Sequence, residues 1–223
     1  SHTAHGPVVR PWTPRAGLPE NPGLFVMSAL PSYRLLSVNT GRARPLDIHG
    51  RSFLSAIGKV PVNGPVGVAP MGLTGDEQAD PSVHGGLDKA VYAYPQEHLD
   101  FWRTQRRERG ASLFDEALPP GFVGENLSVT GLLERDVWIG DEMHFPDCVL
   151  RVTAPREPCF KFDAVMAVRG AGRLMMEQLC CGWYLAVVQP GTIEAGQAFR
   201  LKAGPRGLSV AAAFAGKRAK HLR

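Results

Sequence analysis

Cysteine is scarce in this 223-residue sequence. Cys148, Cys159, Cys180 and Cys181 are the only four, too few for the disulfide framework of a small secreted domain, and the adjacent Cys180 and Cys181 could bridge only with strain. No CxxC pair and no His/Cys cluster at zinc spacing occurs, which leaves the common structural zinc sites without their ligands. Apolar runs stay far short of the ~20 residues that a membrane helix needs. The N-terminal stretch lacks the basic-then-apolar pattern of a signal peptide, so the expectation is a chain outside the membrane, working in the cytoplasm. The Gly-x-Ser-x-Gly elbow is missing, as are the Gly-rich dinucleotide and phosphate-loop patterns, so serine-hydrolase and nucleotide-binding readings have no motif to stand on. Acidic residues are absent from residues 200–223, where Arg200, Lys202, Arg206, Lys217, Arg218, Lys220 and Arg223 gather. The formal net charge of +4 belongs to that tail, and the rest of the chain is mildly acidic. Aromatics make up only 8% and do not interleave with the basic residues, so specific nucleic-acid binding is not expected.

What is present fits one well-cored domain: 44% hydrophobic and 21% charged residues are ordinary globular usage. The 25 glycines and 19 prolines exceed the usual share of about 12% for the two types together, and turn residues this frequent suit short strands better than long helices. Residues 1–33 are rich in proline without an apolar period and read as an extended leader. From there on, short apolar bursts fenced by Gly, Pro or Asp fall at 35–38, 56–60, 66–68, 89–94, 125–129, 136–139, 143–145, 149–152, 183–188 and 198–201. They read as the strands of a closed antiparallel barrel over residues 34–203. Helices are few. One opens at Pro95 and carries Leu99 and Trp102 on its buried stripe, with Arg106, Arg107 and Arg109 as a solvated end. Two short helices share residues 163–181, broken at Gly170-Ala171-Gly172, and Ser209 caps a last helix over 210–222 inside a basic helical tail, 204–223. The fold class is therefore mainly β and barrel-like, with a few helices and a short C-terminal one.

Three groups of residues could carry chemistry. His84-Gly85-Gly86 stands just before a strand, where two glycines free backbone N–H groups to approach an anion and Lys89 adds charge; a tight turn capped by His and Asp would use the same residues. Glu125 and Asn126 follow Gly124 where a loop enters a strand, a usual place for polar groups to face a pocket. Cys159 is flanked by Arg156 and Lys161, and cations stabilise a thiolate, which makes it a nucleophile or soft-metal ligand. Cys148, Cys180 and Cys181 lie in apolar stretches and read as packing.

In order, GDEQAD, VHGGLDKAVYAYPQEHLDFW, GENLSVTGLLERDVWIGD, PREPCFKF and GWYLAVVQPG resemble the MOSC family, the molybdenum cofactor sulfurase C-terminal domain, in its stand-alone bacterial YiiM-type branch. The resemblance spans residues 35–201. It implies a β-rich barrel-like fold that binds the molybdopterin form of the molybdenum cofactor, with Cys159 ligating molybdenum or carrying sulfur. It further implies an oxidoreductase that reduces N-hydroxylated compounds, N-hydroxylated purine bases among them. Arg156, Lys161, Lys89 and the His84-Gly85-Gly86 loop would then hold the cofactor's anionic end, and Glu125, Asn126 and Asp80 would line the substrate side. No flavin or iron–sulfur motif is visible, so electrons are expected from a separate reductase. The alternative is a sulfur carrier with a persulfide on Cys159. YiiM-type proteins continue into a three-helix region, of which residues 209–223 resemble the first helix alone.

Overall fold

The computed structural model describes residues 33–78 and 85–221. The expected leader lies outside them apart from Tyr33, which already opens the first strand. The strands are β1 (Tyr33–Thr40), β2 (Arg44–Ile48), β3 (Arg51–Ser55), β4 (Val60–Pro61), β5 (Val66–Ala69), β6 (Gly72–Leu73), β7 (Val91–Pro95), β8 (Leu127–Thr130), β9 (Glu142–His144), β10 (Val149–Pro155), β11 (Trp183–Gln189), β12 (Gly191–Ile193) and β13 (Ala198–Lys202). The helices are α1 (Leu99–Glu108), α2 (Phe160–Met166), α3 (Ala171–Gln178) and α4 (Val210–His221).

A barrel runs in the order β13-β9-β10-β11-β7-β8-β1 and closes where Tyr33 and Arg34 of β1 pair with Phe199 and Ala198 of β13. Closure satisfies the edge groups that an open sheet would leave unpaired. Inside, alternate residues such as Leu150 and Val152 of β10 meet Leu127, Leu185 and Phe199 in one core, while Arg151 points out. The expectation of a wholly antiparallel barrel needs correcting at one joint, since β7 and β8 are parallel, Ala93 pairing with Leu127. The connection between them, 96–126, holds α1, and a crossover of that length can return the chain to run in the same direction. Two expected strands fall elsewhere. Residues 56–59 form a loop between β3 and β4, and 136–139 form a turn tied to the chain by one bridge between Trp138 and Ser209.

The helices brace the barrel end that matters for function. Trp102 of α1 is fully buried, donates from Nε1 to Tyr94 Oη at 2.7 Å, and packs edge-on against Phe162 of α2 at 5.2 Å. Arg106 is not part of a solvated helix end: its Nη1 donates to the Met166 carbonyl at 2.5 Å and its guanidinium lies 5.2 Å from the Phe122 ring. α2 begins earlier than the sequence suggested and ends at Met166 because Ala167 turns left-handed, φ 53°. The Asp163 carboxylate then accepts from the amides of Gly170 (2.9 Å) and Gly172 (2.7 Å), clamping the start of α3 to α2. α4 buries Val210 and Phe214, and Ser209 Oγ accepts from the Ala212 amide at 3.1 Å as its cap. Its basic neighbourhood is partly neutralised at home: Arg206 pairs with Asp141 at 2.9 Å and Lys217 with Glu157. No helix among the described residues is long and apolar enough to cross a membrane.

Candidate functional site

One row of residues crosses the barrel wall. Tyr184 of β11 sits opposite Tyr92 of β7. The Asn126 amide, just before β8, donates to the Tyr92 carbonyl at 2.8 Å, and the Asn39 amide of β1 donates to the Asn126 carbonyl at 2.7 Å. Gly182 makes the approach of β11 possible: its φ is +66°, and a Cβ there would stand 2.3 Å from the Ala93 carbonyl oxygen. Beside this row β10 ends at Pro155, and the chain passes through Arg156 to Cys159, the residue that precedes α2 in extended conformation. The sequence needs that Pro-x-x-Pro stretch to leave the strand without starting a helix too soon, and so the thiol arrives over the row.

The resulting cleft is lined by Lys59, Asp76, Lys89, Tyr92, Arg156 and Cys159, with Asn126, Lys161 and Tyr184 alongside. It encloses about 90 Å³ and opens on one side. That is room for a metal centre and a phosphate-sized anion.

Arg156 is its most informative member. The side chain is buried, its guanidinium carbon lies 5.1 Å from the Tyr92 ring and 5.7 Å from Phe162, and its Nη1 has no hydrogen-bond partner. Burial works against the charge, yet neighbouring Tyr92, Tyr184 and Cys159 favour it and the balance moves its pKa upward. A buried charged donor without a partner costs more than the ~1–3 kcal/mol of a neutral one, so the position makes sense for an anion that arrives from outside. Lys89 Nζ stands 5.6 Å from the Tyr184 ring, and Lys161 Nζ donates to the Leu54 carbonyl at 2.7 Å, tying the β2–β3 hairpin to α2.

The sequence passed over four cleft residues. Lys59 and Asp76 form a buried ion pair at 2.5 Å, and Asp76 Oδ2 accepts from Asn126 Nδ2 at 2.9 Å. Tyr92 presents its ring while its hydroxyl donates to the Cys181 carbonyl at 2.8 Å. Burial raises the Tyr184 pKa against the pull of Arg156, so this phenol keeps its proton at neutral pH. Asp76 could have been noticed, since it belongs to the same acidic run as Asp80. Tyr184 carried no signal beyond its place in an apolar strand.

Lys89, Asn126, Arg156, Cys159 and Lys161 thus meet at one cleft. Asp80 and His84 lie outside the described residues. Gly86 adopts φ +88° at the turn before Lys89, with open space where a Cβ would stand, and neither it nor Gly85 lines the cleft. Asn126 uses its whole amide within the protein: Oδ1 accepts from the Tyr92 amide at 3.0 Å, and Nδ2 donates to Asp76 and to the Asn39 carbonyl.

Glu125 departs from expectation. It is fully buried beneath the cleft, accepting from the amides of Gly121 (2.7 Å) and Val123 (3.2 Å) and from Ser128 Oγ (2.9 Å), and does not face a ligand. The loop turns sharply at Gly124, φ +90°, and folds the carboxylate back onto its own amides. Burial raises the Glu125 pKa from 4.5, against the lowering by those hydrogen bonds. Because the folded value lies above the unfolded one, the stability tied to its protonation is whole below about pH 4.5 and is lost as pH rises through the raised value. Denaturant titrations from pH 4 to 7 should show the wild type losing stability relative to Glu125→Gln as pH rises; a pH-independent gap would show that Glu125 titrates alike in both states.

The other thiols are inert by burial, which pushes Cys148 and Cys180 up to about 12 and Cys181 well above its usual value. Among the described residues no group of three or more His, Cys, Asp or Glu side chains is placed to hold a metal ion. A metal at Cys159 would therefore need most of its ligands from a bound cofactor.

The MOSC domain model matches residues 80–200. Protein YiiM of Escherichia coli (strain K12) is 39% identical over 141 residues, which cover 63% of this chain and 61% of that protein; the chain thus spans about three fifths of that relative's length. A protein of Gibberella moniliformis (strain M3125 / FGSC 7600) named a reductase is 34% identical over 172 residues, 77% of this chain and 29% of its own. The crystal structure of YiiM from Geobacillus stearothermophilus superposes with a TM-score of 0.65 at 29% identity, covering 86% of each chain.

Proposed function

Since the chain belongs to the MOSC domain family, we propose that it is an oxidoreductase that binds the molybdenum cofactor at the Cys159 cleft and reduces N-hydroxylated compounds with electrons from a separate reductase. The observation that carries the reading is the pairing of one half-buried thiol with a buried, unpartnered guanidinium nitrogen in a single cleft. The donor set fits the group. A thiolate is a soft ligand for a high-valent metal, and Arg156 with Lys89 and Lys161 suits a phosphate-bearing anion. When bound, the molybdenum would supply the two-electron chemistry: the N–OH compound takes up two electrons and two protons, its N–O bond breaks, and the N–H compound and water leave.

The chain's own residues have definable parts. Cys159 Sγ would be the single protein ligand to the metal, and Arg156 Nη1 would bond the cofactor's anionic end. Tyr184 Oη holds a proton beside Cys159 and Arg156, which suits a donor to the departing oxygen. Lys59, Asp76 and Asn126 fix one another and keep the cleft's polar wall in place. The name of the Gibberella moniliformis relative, a reductase, supports the oxidoreductase reading in general.

Protein purified from a molybdopterin-producing host is expected to hold molybdenum approaching one atom per chain and to reduce N-hydroxylated adenine with a chemical electron donor. Absence of molybdenum at any stoichiometry would overturn the reading. The accessible Cys159 among cations also suits a persulfide carrier, which would reveal itself as a one-sulfur mass increase on Cys159 without N-reduction.

A further inference from the structure

Glu134 is a buried carboxylate that the proposed function leaves unused. It lies in GENLSVTGLLERDVWIGD, of which only the opening residues Gly124 and Asn126 reach the cleft. Its side chain is 4% exposed, and both oxygens are engaged: Oε2 meets His98 Nε2 at 2.8 Å, and Oε1 accepts from the Gly182 amide at 2.7 Å. His98, just before α1, is its one ion-pair partner among the described residues. A neutral acceptor would satisfy one amide at less cost than a carboxylate taken out of water. That cost points to a role beyond closing a turn.

What Glu134 grips shows the role. The peptide between Cys181 and Gly182 is held at both ends: Glu134 takes its N–H, and the Tyr92 hydroxyl donates to its carbonyl at 2.8 Å. Tyr92 is also the ring against which the Arg156 guanidinium lies, at 5.1 Å. On the other side of Gly182 its own carbonyl accepts from the Arg156 amide at 3.4 Å, extending the pairing of β10 with β11 by one residue. Backbone and side chain of Arg156 thus rest on one glycine and one tyrosine, and a single peptide ties those two together. Gly182, at φ +66°, has no side chain to brace it. The hydrogen bond from Glu134 supplies that restraint.

We propose that Glu134 is a positioning residue for the cleft, holding the unpartnered Nη1 of Arg156 in place for an incoming anion through the Cys181-Gly182 peptide and Tyr92. The inference rests on the anion-binding role proposed above for Arg156 and adds what sets that arginine's direction. A donor that is already aimed binds more tightly than one that must be ordered on arrival. Groups that orient a binding residue from behind are worth about 10–100-fold in affinity at metal sites.

Reach and charge are separable at this position. Glu134→Gln keeps the reach and an acceptor for Gly182 and gives up the charge, whereas Glu134→Asp keeps the charge and withdraws both oxygens by one methylene. In metal-free protein two quantities decide: the dissociation constant of inorganic phosphate, and the Arg156 Nε–H resonance, assigned by its absence from Arg156→Met. Glu134→Asp is expected to weaken phosphate about tenfold and to move the resonance before any phosphate is added, while Glu134→Gln binds within about threefold of wild type with the resonance in place. Asp141→Asn controls for stability alone, since this carboxylate of the same stretch is likewise buried, accepts from the Trp138 and Gly204 amides and does not line the cleft. It should lower the melting temperature and leave phosphate affinity unchanged; a parallel loss of affinity there would tie binding to stability and overturn the proposal. If Glu134→Asp does not fold, Tyr92→Phe, which keeps the ring and releases the Cys181 carbonyl, should weaken phosphate to a similar extent. Wild-type affinity in Glu134→Asp, with only a lower melting temperature, would make Glu134 a structural residue and overturn the proposal. Weak binding by Glu134→Gln would overturn it too, because charge rather than reach would then matter. Failure of the proposed function looks different: the wild-type protein would take up neither phosphate nor molybdenum, and the ligand-free resonance would still tell whether Glu134 sets Arg156.

Discussion

Cys159→Ser is expected to strip the protein of molybdenum and, with it, of N-reduction. Changes one shell away from a metal already cost about 10–100-fold in affinity, so loss of the sole protein ligand should exceed about a hundredfold, read as molybdenum content after gel filtration. What makes the experiment clean is the conformation of the residue. Cys159 precedes α2 at φ −118° and ψ 169° and makes no side-chain capping bond. Serine is favoured at that position, where its hydroxyl can accept from an amide of the first turn, a contribution of about 0.5–2 kcal/mol relative to a residue that cannot cap. The variant should therefore unfold at the same denaturant concentration or slightly higher, and loss of metal could not be blamed on loss of fold. Wild-type molybdenum content in Cys159→Ser would remove the thiol from the site. Cys148→Ser gives the matched control, because Cys148 is buried in the barrel core and does not line the cleft.

Much of this site could be read along the chain because its key residues are close in sequence. Arg156, Cys159 and Lys161 fall within one short loop and helix start, and Pro155 and Pro158 already say that the loop is stiff. Lys89 follows a glycine turn into a strand, which places it at a strand end. What could not be read is what crosses the barrel. Lys59 meets Asp76 because β4 pairs with β1 and the Gly41 amide just past β1 donates to Asp76, and Asp76 meets Asn126 across 50 positions of chain. Nothing local distinguishes Asp76 from Asp80 in one acidic run, or says that Glu125 will turn inward while Asn126 next to it reaches the cleft. The parallel joint of β7 and β8 was hidden for the same reason: an apolar burst has no direction, and the crossover through α1 supplies one.

Arg156→Met asks the sharpest question, because it should move stability and binding in opposite directions. In a structural ion pair the arginine is matched, and removing it strands a buried partner at a cost of about 3–5 kcal/mol. Here Nη1 has no partner, and the rest of the guanidinium meets a neutral phenol, the hydrogen-bonded Tyr184 hydroxyl, and the faces of Tyr92 and Phe162 rather than a carboxylate. A methionine of similar reach can lie against those rings, and replacing a buried charge with a packed apolar side chain is often neutral or stabilising by about 1–4 kcal/mol. The metal-free variant should therefore melt at the wild-type temperature or above it. Binding should fall, since one charge-assisted hydrogen bond to an anion carries about 1.5–3 kcal/mol, which at 1.4 kcal/mol per factor of ten is roughly a 10–100-fold weaker hold on the cofactor, seen as faster loss of molybdenum on dialysis. Arg156→Lys should fall between the two, as it keeps the charge and gives up the flat face that stacks on Tyr92 and Phe162. A variant that loses stability and keeps its molybdenum would make Arg156 a structural residue. A more stable protein that no longer holds its metal would mean that the barrel bears a buried charge with one unsatisfied nitrogen for the sake of what binds there.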